Sequence, residues 1–156
     1  MAVYTASGAV VSIGGTTRMA NLAAYEAETW QAISDVNEIG SFGSSANIVA
    51  YQVLGDGFVQ KSKGTRDNGD LALKLGYNGL DQGQIDIAAA EATNSLYNFK
   101  VELPDAADGD DTPTFLYFAA IVASKAFEGM SNESIIERVY ALGISGTIIE
   151  DAPAVV

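Results

Sequence analysis

The sequence predicts a mainly β fold of the α+β type: two packed antiparallel sheets forming a sandwich or partly open barrel, with one flanking helix at about 81–94. Three observations predict it. Apolar and polar residues alternate through several short windows, the mark of strands with one buried face. Clusters of Gly, Ser, Asp and Pro punctuate those windows at close spacing. Only one window carries clear helix start signals. At 156 residues the chain fits a single domain, which would bury about 70% of its extended-chain surface.

In chain order, residues 9–13 (AVVSI) form the first strand, ended by Gly14-Gly15. Residues 16–29 are rich in Ala and Glu and fit either a short helix or an ordered loop. Trp30 to Ile39 alternates imperfectly and is predicted as one strand, followed by a Gly/Ser turn at 40–45. The most distinctive stretch is 48–77. Ile48 to Leu54 is apolar, Gly55-Asp56-Gly57 interrupts it, and Phe58, Val59 and Lys61 resume an extended pattern. A tip from Ser62 to Asp70, rich in Gly, Lys, Arg and Asp, comes next. Leu71, Leu73, Leu75 and Tyr77 then fall on one side of a strand, with Asp70, Ala72 and Lys74 on the other. The expectation is a long hairpin with a charged, extended tip. Lys61, Lys63, Arg66 and Lys74 make up half of the 8 basic residues.

In the predicted helix, Asp81 caps the N-terminus by accepting from the Gln84 backbone N–H, and Gln84 stands where a capping box needs it. Leu80 and Ile85 could form a hydrophobic staple. Ile85, Ala88, Ala89 and Ala92 are the expected apolar face. Tyr97 to Leu103 is a further strand, stopped by Pro104. Residues 105–113 (DAADGDDTP) are an acidic turn. Residues 114–124 are apolar at both parities, as in a strand covered on both faces. A last strand pair, 134–142 and 144–150, completes about eight strands. The end, 151–156, has no core pattern and is expected to be flexible or to dock on a neighbour.

Composition narrows the chemistry. The chain has no His and no Cys. Thiol nucleophiles, disulfides, imidazole bases and Cys/His zinc sites are therefore excluded. A net charge of −12 disfavours binding to nucleic acid through its phosphates. The acids fall mostly in turns or on polar strand sides, so no catalytic, cofactor or metal residue is assigned and an enzyme is not expected. Asp105, Asp108, Asp110 and Asp111 offer oxygen ligands, but Leu116 stands where an EF-hand loop ends in Glu. The Gly-rich tip lacks the order of a phosphate-binding loop and is followed by a strand. No basic N-terminal region precedes Arg18, and the longest apolar run, 115–123, is too short to span a bilayer as a helix. A soluble, non-secreted chain without a membrane anchor is expected.

The arrangement resembles a known family. It combines a Trp-led strand (Trp30, Ile33, Val36, Ile39) with the loop Lys63-Gly64-Thr65-Arg66-Asp67-Asn68-Gly69, which runs straight into Leu71-x-Leu73-x-Leu75. Asp81-x-Gly83-Gln84 opens a helix, Tyr97-x-Phe99-x-Val101 follows, and Leu142-x-Ile144-Ser145-Gly146 closes the pattern. From about Trp30 to Ile148 this is similar to the major tail tube protein of long-tailed, non-contractile bacteriophages and related tail-like particles. The resemblance implies a single tail-tube domain, residues 1–156, that forms stacked hexameric rings, with 55–70 as an extended loop to the adjacent ring. On that basis Asp56, Lys61, Lys63, Arg66 and Asp67 are candidate inter-ring residues. Asp70, Glu102 and Glu137 are candidate lumen-lining acids, guessed from strand parity, along which DNA could slide without specific binding. Implied partners are the protein itself and tail-tip, tape-measure and tail-terminator proteins. The implied setting is the virion tail, and the host cytoplasm during assembly. The alternatives are a β-sandwich binding module with calcium or carbohydrate at the acidic turn, and the related tube of secretion machines.

Overall fold

Leu71, Leu73 and Leu75 are wholly buried, while Asp70 and Ala72 beside them are exposed; the alternation that predicts this strand is the alternation that builds it. The computed structural model describes residues 3–106 and 111–153. In order, these form β1 (Val10–Ile13), α1 (Leu22–Glu26), β2 (Gln31–Ile33), β3 (Val36–Ile39), β4 (Ser45–Gln52), β5 (Val59–Asp67) and β6 (Asp70–Gly76). The chain continues with α2 (Gln82–Glu91), β7 (Leu96–Glu102), β8 (Phe115–Glu128) and β9 (Glu137–Asp151). A seven-stranded sheet has the order β2-β1-β7-β8-β9-β6-β3, and β4 and β5 form a second, two-stranded sheet. All pairings are antiparallel. The mainly β architecture with a flanking helix is as the sequence predicts, and the sheet does not close into a barrel.

The predicted strand Trp30–Ile39 is instead two strands, β2 and β3, at opposite edges of the large sheet. Asp35 breaks it with a φ of 62°, in the left-handed region that Asp tolerates better than most residues. Three residue steps from Ile33 to Val36 span at most about 11 Å. The sheet must therefore curl until its two edges meet at this corner, wrapping its own core. Val11, Phe99, Val101, Phe118, Tyr140 and Leu142 fill that core with the three leucines of β6; Phe99 and Phe118 stack with centroids 5.8 Å apart.

Helix α2 locks the corner. Asp81 caps it as predicted, accepting from Gln84 N at 3.1 Å. The same carboxylate also accepts from Ser34 N and Ser34 Oγ at 3.1 and 2.9 Å. Gln84 does not complete a capping box. Its buried amide donates to Ser34 O and Gly76 O and accepts from Asn78 N, joining the helix to the link between β2 and β3 and to the end of β6. The expected staple is absent, because Leu80 and Ile85 are both exposed. The buried face is Gly83, Gln84, Ile87 and Ala90, not the predicted Ile85, Ala88, Ala89 and Ala92. Two isoleucines two positions apart satisfy helical spacing on either face, and the Gln84 hydrogen bonds decide between them.

Residues 134–150 do not form a hairpin. Gly143 stays paired with both Asp70 and Ile121, so β9 runs unbroken, with an irregularity where Gly146 adopts a φ of 87°. Strand β8 is covered on both faces along its first half. Phe118 and Ala120 face the core; Tyr117 lies under α1 and Trp30, with ring centroids 5.3 Å from Tyr25 and 5.9 Å from Trp30. The ambiguous segment 16–29 thus contains a short helix, capped by Asn21 accepting from Ala24 N at 3.0 Å. Of the expected flexible end 151–156, Asp151 closes β9 opposite Phe115; residues 154–156 lie outside the described residues.

Candidate assembly surfaces

The charged tip predicted at Ser62–Asp70 is in fact strand up to Asp67. The β4–β5 ribbon turns instead at residues 53–58, where Asp56 organises the reversal. Its N–H donates to Val53 O at 3.1 Å, and its carboxylate accepts from Phe58 N at 3.1 Å and Gln60 Nε2 at 2.8 Å. A polar strand exposed on both sides has a loop-like composition, so hydropathy alone misplaces the turn. Among the described residues no other strand hydrogen-bonds to β4 or β5, and nearly all of their side chains are exposed.

Register gives the ribbon two unlike faces. Lys61 and Lys63 stand opposite Ala50 and Ile48 on one; Val49 and Tyr51 stand opposite Ser62 and Gln60 on the other. Val53, Leu54 and Phe58 are exposed at its turn. Arg66 sits further down β5, opposite Ala46. Asp67 shapes the root: its carboxylate accepts from Gly69 N at 2.9 Å, and its carbonyl accepts from Ser45 Oγ at 3.1 Å. The Asn68 side chain donates to Gly146 O and pins the root to β9. The five candidate residues therefore share one ribbon but not one spot. An isolated two-stranded ribbon is marginal in water, and one edged with exposed apolar residues favours a partner.

Asp70, Glu102 and Glu137 lie on the same face of the large sheet, the one away from the core. Asp70 pairs with Gly143, which shares its side of β9 with Glu137. Gly143 pairs with Ile121, on the same side of β8 as Phe115, the partner of Glu102. Lys74 joins this face and bridges Glu128 at 3.5 Å and Glu38 at 4.0 Å. Ala72, Ala126 and Ala141 on this face present little more than methyl groups.

A cluster that the sequence reading misses lies at the far end of β6. The Arg138 guanidinium carbon is 4.3 Å from the Phe127 ring centroid and 4.9 Å from that of Tyr77. The two rings meet edge to face at 5.3 Å. Arg138 Nη1 also donates to Tyr140 Oη at 3.4 Å. These residues come from β8, β9 and the position just after β6, so no local motif announces them. Met130, Ile135 and Ile136 are exposed close by in sequence on the β8–β9 connection, which Tyr77 N ties down by donating to Ile136 O at 3.0 Å.

At the acidic turn, the side-chain hydroxyl and backbone N–H of Thr114 both donate to Asp105, holding its carboxyl below the ordinary carboxylate value. Asp108 and Asp110 lie outside the described residues. For Asp81, desolvation pushes the pKa up, but the bonds from Ser34 and Gln84 outweigh it and the net shift is downward. Among the described residues no group of three or more His, Cys, Asp or Glu side chains could hold a metal ion. No helix among them is long and apolar enough to cross a membrane.

No protein-family model matches the chain, and no curated protein does. Solved structures do match in fold. One is a chain of the anti-feeding prophage baseplate, solved with 6-fold symmetrisation, at a TM-score of 0.71 and 11% identity over 97% of this chain and 98% of that one. The SPP1 tail tube matches at 0.68 and 12% identity, over 92% of this chain and 76% of that one. The tail of a gene transfer agent particle, refined with C6 symmetry, matches at 0.65 and 13% identity, over 96% of this chain and 100% of that one. The chain has the tail-tube fold, common to components of phage-like tails and contractile injection particles.

Proposed function

We propose that the chain is a non-enzymatic structural subunit that forms rings, six-fold like the symmetric particles it resembles, stacked into a tail tube that conducts DNA. The observation that carries this reading is the β4–β5 ribbon on a tail-tube fold: a basic and apolar arm that, among the described residues, pairs with no third strand. The subunit's first partner is itself, with tail-tip, tape-measure and tail-terminator proteins at the ends of the tube. It belongs to a virion tail of the non-contractile type and assembles in the host cytoplasm. Lys61, Lys63 and Arg66 contact the next ring, while Asp56 and Asp67 hold the ribbon's turn and root in shape. Asp70, Glu102 and Glu137 line the lumen and keep DNA from adhering, because like charges repel at short range.

Negative-stain microscopy of the purified protein tests the reading, with stacked rings or tubes expected. Featureless small particles would instead favour a binding module, and rings that do not stack would favour a secretion-type tube. Charge reversal at Lys61, Lys63 and Arg66 together is expected to leave a folded protein that forms no tubes. Tubes of wild-type length from that variant refute the role given to the three cations.

A further inference from the structure

We infer that the cluster around Arg138, with Tyr77, Phe127, Met130 and Ile135, is the surface that receives the β4–β5 ribbon of another copy of this chain; the inference rests on the tube reading above. The cluster has the make-up of an interaction hot spot. Aromatic residues, Met and Arg are the types enriched at interfaces. The guanidinium held between two rings presents them in a fixed arrangement rather than as loose side chains. Tyr77 and Phe127 remain 45% and 49% exposed, and Met130 and Ile135 71% and 77%. Folding one chain leaves this apolar surface in water, which soluble proteins rarely tolerate without a use for it.

The ribbon is the matching object. Val49 and Tyr51 share one of its faces, and Phe58 at its turn is 79% exposed. Its residues 45–67 carry three cations and two anions, a net +1 against −13 for the rest of the chain. Glu128, Glu133 and Glu137 belong to or flank the β8–β9 connection, so a positively charged arm meets an acidic rim around an apolar centre. Within one molecule the ribbon and the cluster lie apart. The ribbon springs from the start of β6 at Asp70, and the cluster sits past its end at Gly76, about 20 Å away by strand rise. An arm at one end and its receptor at the other make a heterologous contact. Repeated from copy to copy, such a contact propagates instead of closing as a dimer.

The chain has no Cys, so introduced thiols report the contact cleanly. Phe58→Cys, Met130→Cys and a control on the solvent face of β8, Ser124→Cys, all alter exposed positions. Mixed Phe58→Cys and Met130→Cys proteins treated with a short bismaleimide are expected to give a cross-linked heterodimer, and the double variant a ladder of covalent oligomers. Phe58→Cys mixed with Ser124→Cys should give neither. If tubes form but Phe58→Cys links to Ser124→Cys as readily as to Met130→Cys, or links to neither, the receptor assignment is overturned while the tube reading stands. If the unmodified protein stays monomeric by microscopy and no cross-link forms, both are overturned.

Discussion

Replacing Gly83 by Ala should destabilise this protein, although Ala is the better helix former. In an isolated helix the change would gain about 1 kcal/mol. In this fold a Cβ on Gly83 would lie 2.1 Å from Ala32 O and 2.7 Å from Ile33 Cα, both backbone atoms. To reach ordinary contact, α2 and β2 must separate by about 1 Å, a large overpacking by the usual measure. That separation is opposed on both sides. Strand β2 is paired to β1, and Gln84, one residue on, is bonded to Ser34 O and Gly76 O. Overpacking of this kind costs about 3 kcal/mol at the upper end of its usual range, leaving a net loss of about 2 kcal/mol after the propensity gain. For a chain of this length that is a fall in Tm of roughly 4–8 °C. Urea or thermal unfolding followed by circular dichroism measures it. Ala89→Gly, at an exposed position of the same helix, supplies the propensity cost alone, about 1 kcal/mol. A Gly83→Ala protein as stable as wild type, or more so, would show that α2 does not rest on β2 as described.

Asp81→Ala removes a helix cap and two further acceptor contacts to Ser34, and is expected to cost about 2 kcal/mol by denaturant unfolding. Asp81→Asn keeps the cap and should lose less; equal losses would mean that the side-chain oxygen caps nothing. Acid titration probes the same carboxylate together with Asp105. Both are held below their ordinary value of 3.8 in the folded chain and return to about 3.9 on unfolding. The unfolded state therefore binds more protons, so their stabilisation is complete above the unfolded value and is lost as pH falls through the folded one. Carboxyl NMR titration should place both below 3.8, and Thr114→Val should move Asp105 upward without moving Asp81; an unmoved Asp105 would refute the role of the hydroxyl.

The sequence alone determined the strands whose two faces differ. In β6, Leu71, Leu73 and Leu75 alternate with Asp70, Ala72 and Lys74, and burying one parity is the one arrangement that removes all three leucines from water. It also determined the start of α2, because a cap and its acceptor lie three residues apart. Tertiary structure decided whatever depends on a partner distant in sequence. Whether residues 30–39 make one strand or two turns on Asp35 and on which edge each half finds. Which face of α2 is buried turns on Gln84, a polar residue whose partners Ser34 and Gly76 lie 50 and 8 positions away. The Arg138 cluster joins β8, β9 and the residue just past β6 and has no local signature. The ribbon lies between these cases: its charge is plain in the sequence, but its turn is misplaced there. A strand with no buried face carries no hydrophobic period to mark its limits, and only its pairing with β4 sets them.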